Sequence, residues 1–343
     1  MQKGVIRLET QYWQVNPACP EKEIIMQAAS LIKAQELVAF PTETVYGLGA
    51  AAFQSQAVEK IFAAKGRAEN NPLLLHLSCM EQAESVAKEI PPAAKMLMER
   101  FWPGPLSIIL PARETVPAIV RGGKTTVGLR MPAHPVALAL IDQAGPLAAP
   151  SANLSGRPSP VTAEHVKADL DGKIAAILDA GPTGLGLEST IIDLSNPGCR
   201  ILRQGGITVE ELEEAMGMSI TVNNPEQENF PHYQIKSKLL LGPSWEEIDD
   251  YLSSIEQLEK KLVLVHPYID KNDARWEKLK DRYPQYQSYD LDLNTATNRL
   301  YSLLREAEER EIELLLFTPL PKKLGGIAGV MLDRIYQAAG NSL

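Results

Sequence analysis

The spacing of apolar residues along the chain predicts a succession of helices and short strands. Ile24, Ile25, Ala28, Leu31 and Ile32 recur on one side of a helix over residues 22–37. Leu37-Val38-Ala39-Phe40 reads as a strand that Pro41 ends. Helices are expected over 56–65, 81–89, 92–101, 135–143 and 162–170, and a closing helix over 208–217. Strands are expected at 73–77, 107–110, 126–130, 146–150, 174–179 and 189–194. This order lacks strict β-α alternation, which favours an α/β sheet of mixed direction over a doubly wound one.

The pattern changes after residue 217. Residues 221–237 are polar and irregular, with Asn223, Asn224, Pro225 and Pro231, and read as a linker. Beyond them, strands at 238–241, 261–265 and 312–317 alternate with helices near 245–259, 271–281 and 295–310, the rhythm of a small parallel sheet. A last helix is expected over about 327–339. The expected division is a first domain at 1–217, a linker at 218–237 and a second domain at 238–343.

Composition agrees with this division. A chain of 343 residues accommodates two domains at roughly 150 residues each. With 45% hydrophobic and 22% charged residues it is neither disordered nor collagen-like. Charge is uneven: residues 1–210 hold 19 basic and 20 acidic side chains, and residues 211–343 hold 15 and 23, out of a net −9. A protein that grips nucleic acid by counterion release needs a basic excess, and neither part has one. The longest apolar runs, Ser107 to Leu110 and Leu314 to Phe317, are too short for a membrane span. The first residues lack the apolar stretch of a secretory signal. Cys19, Cys79 and Cys199 are too few and too scattered for a disulfide framework or a zinc site. These features lead us to expect a soluble cytoplasmic protein.

The common nucleotide and hydrolase motifs are missing. Gly123-Lys124-Thr125 ends like a phosphate loop, but Ala118 stands where its first Gly belongs. No Gly-x-Gly-x-x-Gly opens a helix, and neither His-Glu-x-x-His nor Gly-x-Ser-x-Gly occurs. Polar clusters at strand ends stand out instead. Pro41-Thr42-Glu43-Thr44-Val45-Tyr46-Gly47-Leu48-Gly49 suits a turn that a ligand approaches closely, or a plain Pro/Gly turn. Lys65-Gly66-Arg67 at a helix end suits phosphate or carboxylate oxygens, or simply the helix dipole. His76 falls within an apolar strand, where a packed core histidine is the ordinary reading. Arg130 ends an apolar strand and needs an anionic partner, either a protein carboxylate or a substrate carboxylate. The loop Ala149-Pro150-Ser151-Ala152-Asn153-Leu154-Ser155-Gly156-Arg157-Pro158-Ser159 is rich in small donors that suit an oxyanion. Leu187-Glu188-Ser189-Thr190-Ile191 and Leu202-Arg203-Gln204-Gly205-Gly206 complete the set.

In this order the clusters resemble the YrdC-type family of threonylcarbamoyl-AMP synthases over about residues 16–210, and the second domain is similar to that of the family's long form. The resemblance implies a twisted mixed α/β sheet with a large positive cavity, followed by a smaller Rossmann-like α/β domain. It implies that L-threonine, bicarbonate and ATP, with magnesium, give threonylcarbamoyl-AMP and pyrophosphate for tRNA modification, and that tRNA threonylcarbamoyl-transfer machinery is the downstream partner. Carried over by motif, Thr44, His76, Arg130, Ala149 through its backbone and Ser189 would form the threonine pocket. Arg67, Asn71, Thr126, Ser151, Ser159, Arg203 and Tyr233 would hold ATP. Lys65, Arg67, Ser151 and Asn153 would mark the catalytic face. Metal ligands are not identified. Around Tyr233 the sequence Asn229-Phe230-Pro231-His232-Tyr233-Gln234-Ile235-Lys236 keeps only the His-Tyr pair and the Lys of the long form's linker, and we expect this linker to act as a lid on the ATP site. The alternative is an RNA-binding module of the same fold without synthase activity, which a steep salt dependence of tRNA binding would favour.

Overall fold

The structure is a computed structural model that describes residues 9–196, 198–222, 235–255, 261–268, 273–293, 297–321 and 323–339. The described residues divide into two compact units. One is drawn from Met1–Ser155 and Ser159–Glu228, the other from Gly156–Pro158 and Asn229–Leu343. Among the described residues no helix is long and apolar enough to cross a membrane.

The strands of the first unit are β1 (Gln11–Gln14), β2 (Val38–Phe40), β3 (Gly47–Ala51), β4 (Leu74–His76), β5 (Leu106–Pro111), β6 (Thr126–Arg130), β7 (Leu147–Ala148), β8 (Ala176–Asp179), β9 (Thr190–Asp193), β10 (Arg200–Arg203) and β11 (Thr221–Val222). They form one twisted sheet in the order β1-β8-β2-β3-β7-β4-β6-β5-β9-β10-β11. Parallel and antiparallel neighbours are mixed, as the missing β-α alternation predicts. The helices are α1 (Lys22–Lys33), α2 (Ser55–Lys65), α3 (Met80–Val86), α4 (Pro92–Phe101), α5 (Pro135–Ala144), α6 (Ala163–Leu170) and α7 (Val209–Met216).

Helices cover both faces of the sheet. On one face Ile25, Ala28 and Ile32 of α1 and Val136, Leu140 and Ile141 of α5 pack on Val38, Phe40, Leu147 and Leu178. On the other, Ala57, Val58 and Ile61 of α2, Leu97 of α4, Val166 of α6 and Leu212 of α7 share a core with Leu75, Ile108, Leu129 and Ile192. Because strand side chains alternate, Leu75, Leu129, Leu106, Ile108 and Ile192 point to that second core. Their neighbours His76, Arg130, Ser107 and Ile191 therefore point the other way.

Three expectations need correction. The first helix stops at Lys33 rather than 37: Gln35 takes a left-handed φ of 65°, and the Gln35 and Glu36 amides donate to the Ile32 and Leu31 carbonyls. Gly47 and Gly49 do not lie in a ligand-facing turn but in β3, antiparallel to β2. A Cβ on Gly49 would stand 2.9 Å from the Phe40 ring, so these glycines make room for an aromatic side chain. Finally, the helix expected over 81–89 ends at Val86, where Ala87 has extended backbone and pairs with Ala112.

The second unit is a parallel sheet of β12 (Lys238–Leu241), β13 (Leu262–Tyr268), β14 (Gln287–Asp292) and β15 (Leu314–Phe317), in the order β12-β15-β13-β14. Its helices are α8 (Trp245–Ile255), α9 (Ala274–Arg282), α10 (Thr297–Glu309) and α11 (Gly326–Ala339). Ile248 and Leu252 of α8 and Trp276 and Leu279 of α9 pack on Leu240, Leu264 and Leu316. A Cβ on Gly242 would lie 2.2 Å from Ile248, so the turn from β12 into α8 needs glycine for helix and strand to meet. This is the small parallel sheet expected from the alternation of strands and helices, in the Rossmann-like form that the resemblance implies.

Candidate active site

Sheet register lines up one row of polar side chains. His76 pairs with Arg130 between parallel β4 and β6. Ile108 of β5 opposes Leu129, which puts Ser107 beside Arg130. Leu106 of β5 pairs with Thr190, and the Ser107 and Ser189 hydroxyls stand 2.7 Å apart. His76, Arg130, Ser107 and Ser189 thus cross four adjacent strands on the face turned away from the larger core. Ala149 follows β7, and its amide donates to the Leu74 carbonyl at 2.9 Å, one strand over from His76. Four of the five residues expected in the threonine pocket therefore sit in or directly beside adjoining strands, His76 and Arg130 within β4 and β6, Ala149 just after β7 and Ser189 just before β9, and the fifth, Thr44, reaches them through Arg130.

The loop between β2 and β3 brings Thr44 to that row. Arg130 Nη2 donates to Thr44 Oγ1 at 2.8 Å and pairs with Glu43 Oε2 at 2.8 Å. The Thr42 hydroxyl donates to the Val45 carbonyl at 2.6 Å and lies 2.8 Å from the Thr44 hydroxyl. Since the Thr42 proton goes to Val45, Thr44 donates to Thr42 and accepts from Arg130, and the chain has one direction. The buried Arg130 is therefore paired with a protein carboxylate, as its position at a strand end requires. Its Nε–H is buried and has no acceptor.

His76 is buried, and its ring meets Phe40 edge-on with centroids 6.0 Å apart. Burial, and then the charge of Arg130, lowers its pKa to about 3, so the imidazole is neutral at physiological pH. Its Nδ1 is buried without a partner. On the other side of the row, Arg203 donates from Nε to the Ser189 carbonyl at 3.0 Å and from Nη2 to Ser189 Oγ at 3.1 Å. A residue expected at threonine and one expected at ATP are thus in direct contact. Ser159 donates to Glu188 Oε1 at 2.8 Å, next to Ser189 in the chain.

Lys65 and the Ser151 loop form a second cluster. Lys65 ends α2, Gly66 caps it in the left-handed conformation, and the Lys65 side chain is buried. Its ammonium donates to the Ser151 carbonyl at 2.6 Å, to the Asn153 carbonyl, and to Asn153 Oδ1 at 3.5 Å. Ser151 Oγ donates to Asn153 Oδ1. The loop is held from the other side by the Ala152 amide on the Tyr46 carbonyl and the Leu48 amide on the Pro150 carbonyl, each 2.8 Å. The Thr-Glu-Thr segment, the Ser-x-Asn loop and the Lys-x-Arg turn are therefore neighbours in space.

Arg67, Asn71 and Thr126 lie toward the opposite strand ends. Arg67 Nη2 donates to the Pro72 carbonyl at 3.2 Å, its Nε has no acceptor, and burial lowers its pKa to about 10. Asn71 is exposed ahead of β4, and Thr126 opens β6. Thr126 and Arg130 share a face of β6 but stand about 13 Å apart, at 3.3 Å per residue. Gly128 between them bears no side chain, and a Cβ there would strike Leu74 at 2.5 Å. Tyr233 lies outside the described residues. Ser107 carries no expectation from sequence, although a serine among Leu106, Ile108, Ile109 and Leu110 is a visible polar interruption, and Glu43 carries no role beyond its place in the Thr-Glu-Thr cluster.

Comparison with known proteins follows this geometry. Residues 30–205 match a family model described as Telomere recombination, that of the Sua5, YciO and YrdC proteins. Residues 207–340 match the model described as Threonylcarbamoyl-AMP synthase, C-terminal domain. The threonylcarbamoyl-AMP synthase of Bacillus subtilis is 40% identical over 92% of this chain and 93% of its own, and that of Pyrococcus abyssi 39% over 91% and 93%. The crystal structure of P. abyssi Sua5 complexed with L-threonine superposes with a TM-score of 0.85, at 36% identity, over 97% of this chain and 100% of that one. The chain belongs to the threonylcarbamoyl-AMP synthase family, in the long form that carries the additional C-terminal domain.

Proposed function

We infer that the chain is a threonylcarbamoyl-AMP synthase, a nucleotidyltransferase that joins L-threonine, bicarbonate and ATP into threonylcarbamoyl-AMP and pyrophosphate. The observation that carries this reading is the likeness, over nearly the full length of both chains, to a synthase-family structure complexed with L-threonine.

In the reaction proposed, the threonine amine adds to bicarbonate with loss of water to give a carbamate. A carbamate oxygen then attacks the α-phosphorus, and pyrophosphate leaves. No protein nucleophile is required, so the work is positioning and charge stabilisation. Arg130 Nε–H is a buried donor without an acceptor, and it would take the threonine carboxylate. His76, neutral and with an unpartnered Nδ1, would meet the threonine hydroxyl together with Thr44 and Ser189. Arg67, with an unpartnered Nε, Asn71, Thr126, Ser151, Ser159, Arg203 and Tyr233 would contact the nucleotide. Lys65 would act by holding the Ser151-Ala152-Asn153 loop in shape for the reacting phosphate. Magnesium would arrive as part of the ATP substrate, its ligands drawn from the phosphates; among the described residues no group of three or more His, Cys, Asp or Glu is placed to hold an ion. The product would pass in the cytoplasm to machinery that transfers the threonylcarbamoyl group to tRNA.

The test is pyrophosphate release from ATP and bicarbonate, with and without L-threonine. Threonine-dependent release that disappears in Arg130→Ala supports the assignment. Release indifferent to threonine overturns it.

A further inference from the structure

The side chain that pairs with Arg130 has chemistry to spare. Glu43 pairs with Arg130 as an ion pair, Oε2 standing 2.8 Å from Nη2. Both of its carboxylate oxygens are buried and accept no hydrogen bond, Oε1 having no cation paired to it either. A buried carboxylate oxygen without a donor is destabilising, the more so when the group is ionised. Beside it, the Arg130 Nε–H is buried without an acceptor, and that side chain is 5% exposed. One anionic acceptor and one cationic donor, both unsatisfied, thus stand on two residues in direct contact. That pair matches the two charges of an α-amino acid, whose carboxylate and ammonium are separated by a single carbon.

We propose that Glu43 is a specificity-determining residue of the amino-acid pocket, its Oε1 accepting a hydrogen bond from the α-ammonium of threonine while Arg130 takes the carboxylate. The inference rests on the reading of Arg130 as the carboxylate site and extends it to the other charge. The arrangement explains why the Arg130 partner is a carboxylate rather than a carbonyl. A neutral acceptor would satisfy Nη2 equally well but leave nothing to balance the ammonium. It also sets the orientation of the substrate. With Arg130 Nη2 committed to Glu43 and Thr44, the carboxylate is steered to the remaining edge of the guanidinium, and the amine falls on the Glu43 side.

The same geometry predicts the behaviour of an isosteric variant. In Glu43→Gln the amide oxygen stays with Arg130 Nη2, which leaves the amide NH2 at the position of Oε1. A donor then meets the ammonium, and recognition is replaced by repulsion.

The experiment is calorimetric titration of the full-length chain, without ATP, with L-threonine and with 3-hydroxybutanoate, which keeps the carboxylate and hydroxyl but has hydrogen in place of the amine. The native chain binds threonine about 30-fold more tightly than the analogue, the worth of one charge-assisted hydrogen bond. Glu43→Gln loses that factor for threonine and changes the analogue less than threefold; Glu43→Asp, which keeps the charge, retains part of the preference. Thermal unfolding of the unliganded variants identifies any that fail to fold, and Glu43→Asp then carries the comparison. If Glu43→Gln weakens both ligands equally, Glu43 only positions Arg130 and the proposal is wrong. If threonine binding is unchanged in Glu43→Gln, the ammonium is held elsewhere, for example by the Ala149 carbonyl, and the proposal is also wrong. Arg130→Ala separates the two layers: it abolishes binding of both ligands if the pocket reading holds, and unaltered binding there would overturn the pocket itself.

Discussion

Arg203 grips Ser189 twice, through the backbone carbonyl from Nε at 3.0 Å and through the hydroxyl from Nη2 at 3.1 Å. The Ser189 hydroxyl also meets Ser107 at 2.7 Å, so one side chain links the arginine to the polar row that crosses the sheet. Two parallel donors of this kind need a planar fork, which lysine does not have. Arg203→Lys should therefore affect more than the nucleotide. Steady-state kinetics should show the KM for threonine rising about tenfold, the equivalent of one 1.4 kcal/mol contact, along with the KM for ATP. A change confined to ATP would separate Arg203 from the threonine pocket.

Gly205 tests the same corner through the backbone. A Cβ at this position would lie 2.2 Å from the Glu188 carbonyl oxygen and 2.5 Å from the Ser189 carbonyl carbon. Neither neighbour is the far end of a flexible side chain, so the backbone must move. Gly205→Ala should cost about 1–3 kcal/mol of stability, measured by urea unfolding. It should also weaken threonine binding by displacing Ser189. Gly66→Ala serves as a contrast, since a Cβ at Gly66 meets nothing within 4 Å and the strain there is its left-handed φ of 61° alone.

His76 gives the fold a defined acid sensitivity. Its folded pKa of about 3 lies below the ordinary 6.5, chiefly because it is desolvated. The unfolded chain therefore takes up the proton first as pH falls. The contribution of His76 to stability is complete above pH 6.5 and is lost progressively toward pH 3, at up to about 1.4 kcal/mol per pH unit. His76→Gln should flatten the dependence of the unfolding free energy on pH across this window relative to the native chain. Parallel curves for the two proteins would mean that His76 is not the buried neutral group described.

Lys65→Met removes the ammonium that the Ser151 and Asn153 carbonyls share. Two buried carbonyls then lack their donor, and stability should fall by about 3 kcal/mol. The denaturant midpoint should drop with an unchanged slope. Pyrophosphate release should fall by more than the folded fraction explains, because the loop carrying Ser151 loses its support.

The hydrophobic pattern located most helices and most apolar strands of both units, but it passed over β1, β3, β10, β11 and β14. Gly47-Leu48-Gly49-Ala50-Ala51 contains no β-branched residue and reads as a turn. It is a strand because Phe40 fills the space its glycines leave, a fact of tertiary packing. Gln11-Tyr12-Trp13-Gln14 and Gln287 to Asp292 lie at sheet edges and are only partly buried, so neither carries an apolar run. At the site, the sequence identified Thr44, His76, Arg130 and Ser189 through their motifs. It did not reveal that alternation along β4, β6, β5 and β9 sets them in one row. Glu43 lay in plain view between two threonines. Its pairing with Arg130, 87 positions along the chain, depends on the β2–β3 loop folding over β6, which no local pattern encodes.

The burial of Lys65 gives the folded chain an internal clock. Acylating reagents attack an amine only as its free base and only where they can reach it. The exposed lysines of the native protein, such as Lys124, are within reach of the reagent, whereas Lys65 is 2% exposed with its protons committed to carbonyl oxygens. Its labelling must wait for the 65–153 contact to open. The rate at which a mass shift appears on the peptide containing Lys65 would then count openings of this part of the molecule, with every surface lysine serving as the reference for reagent activity.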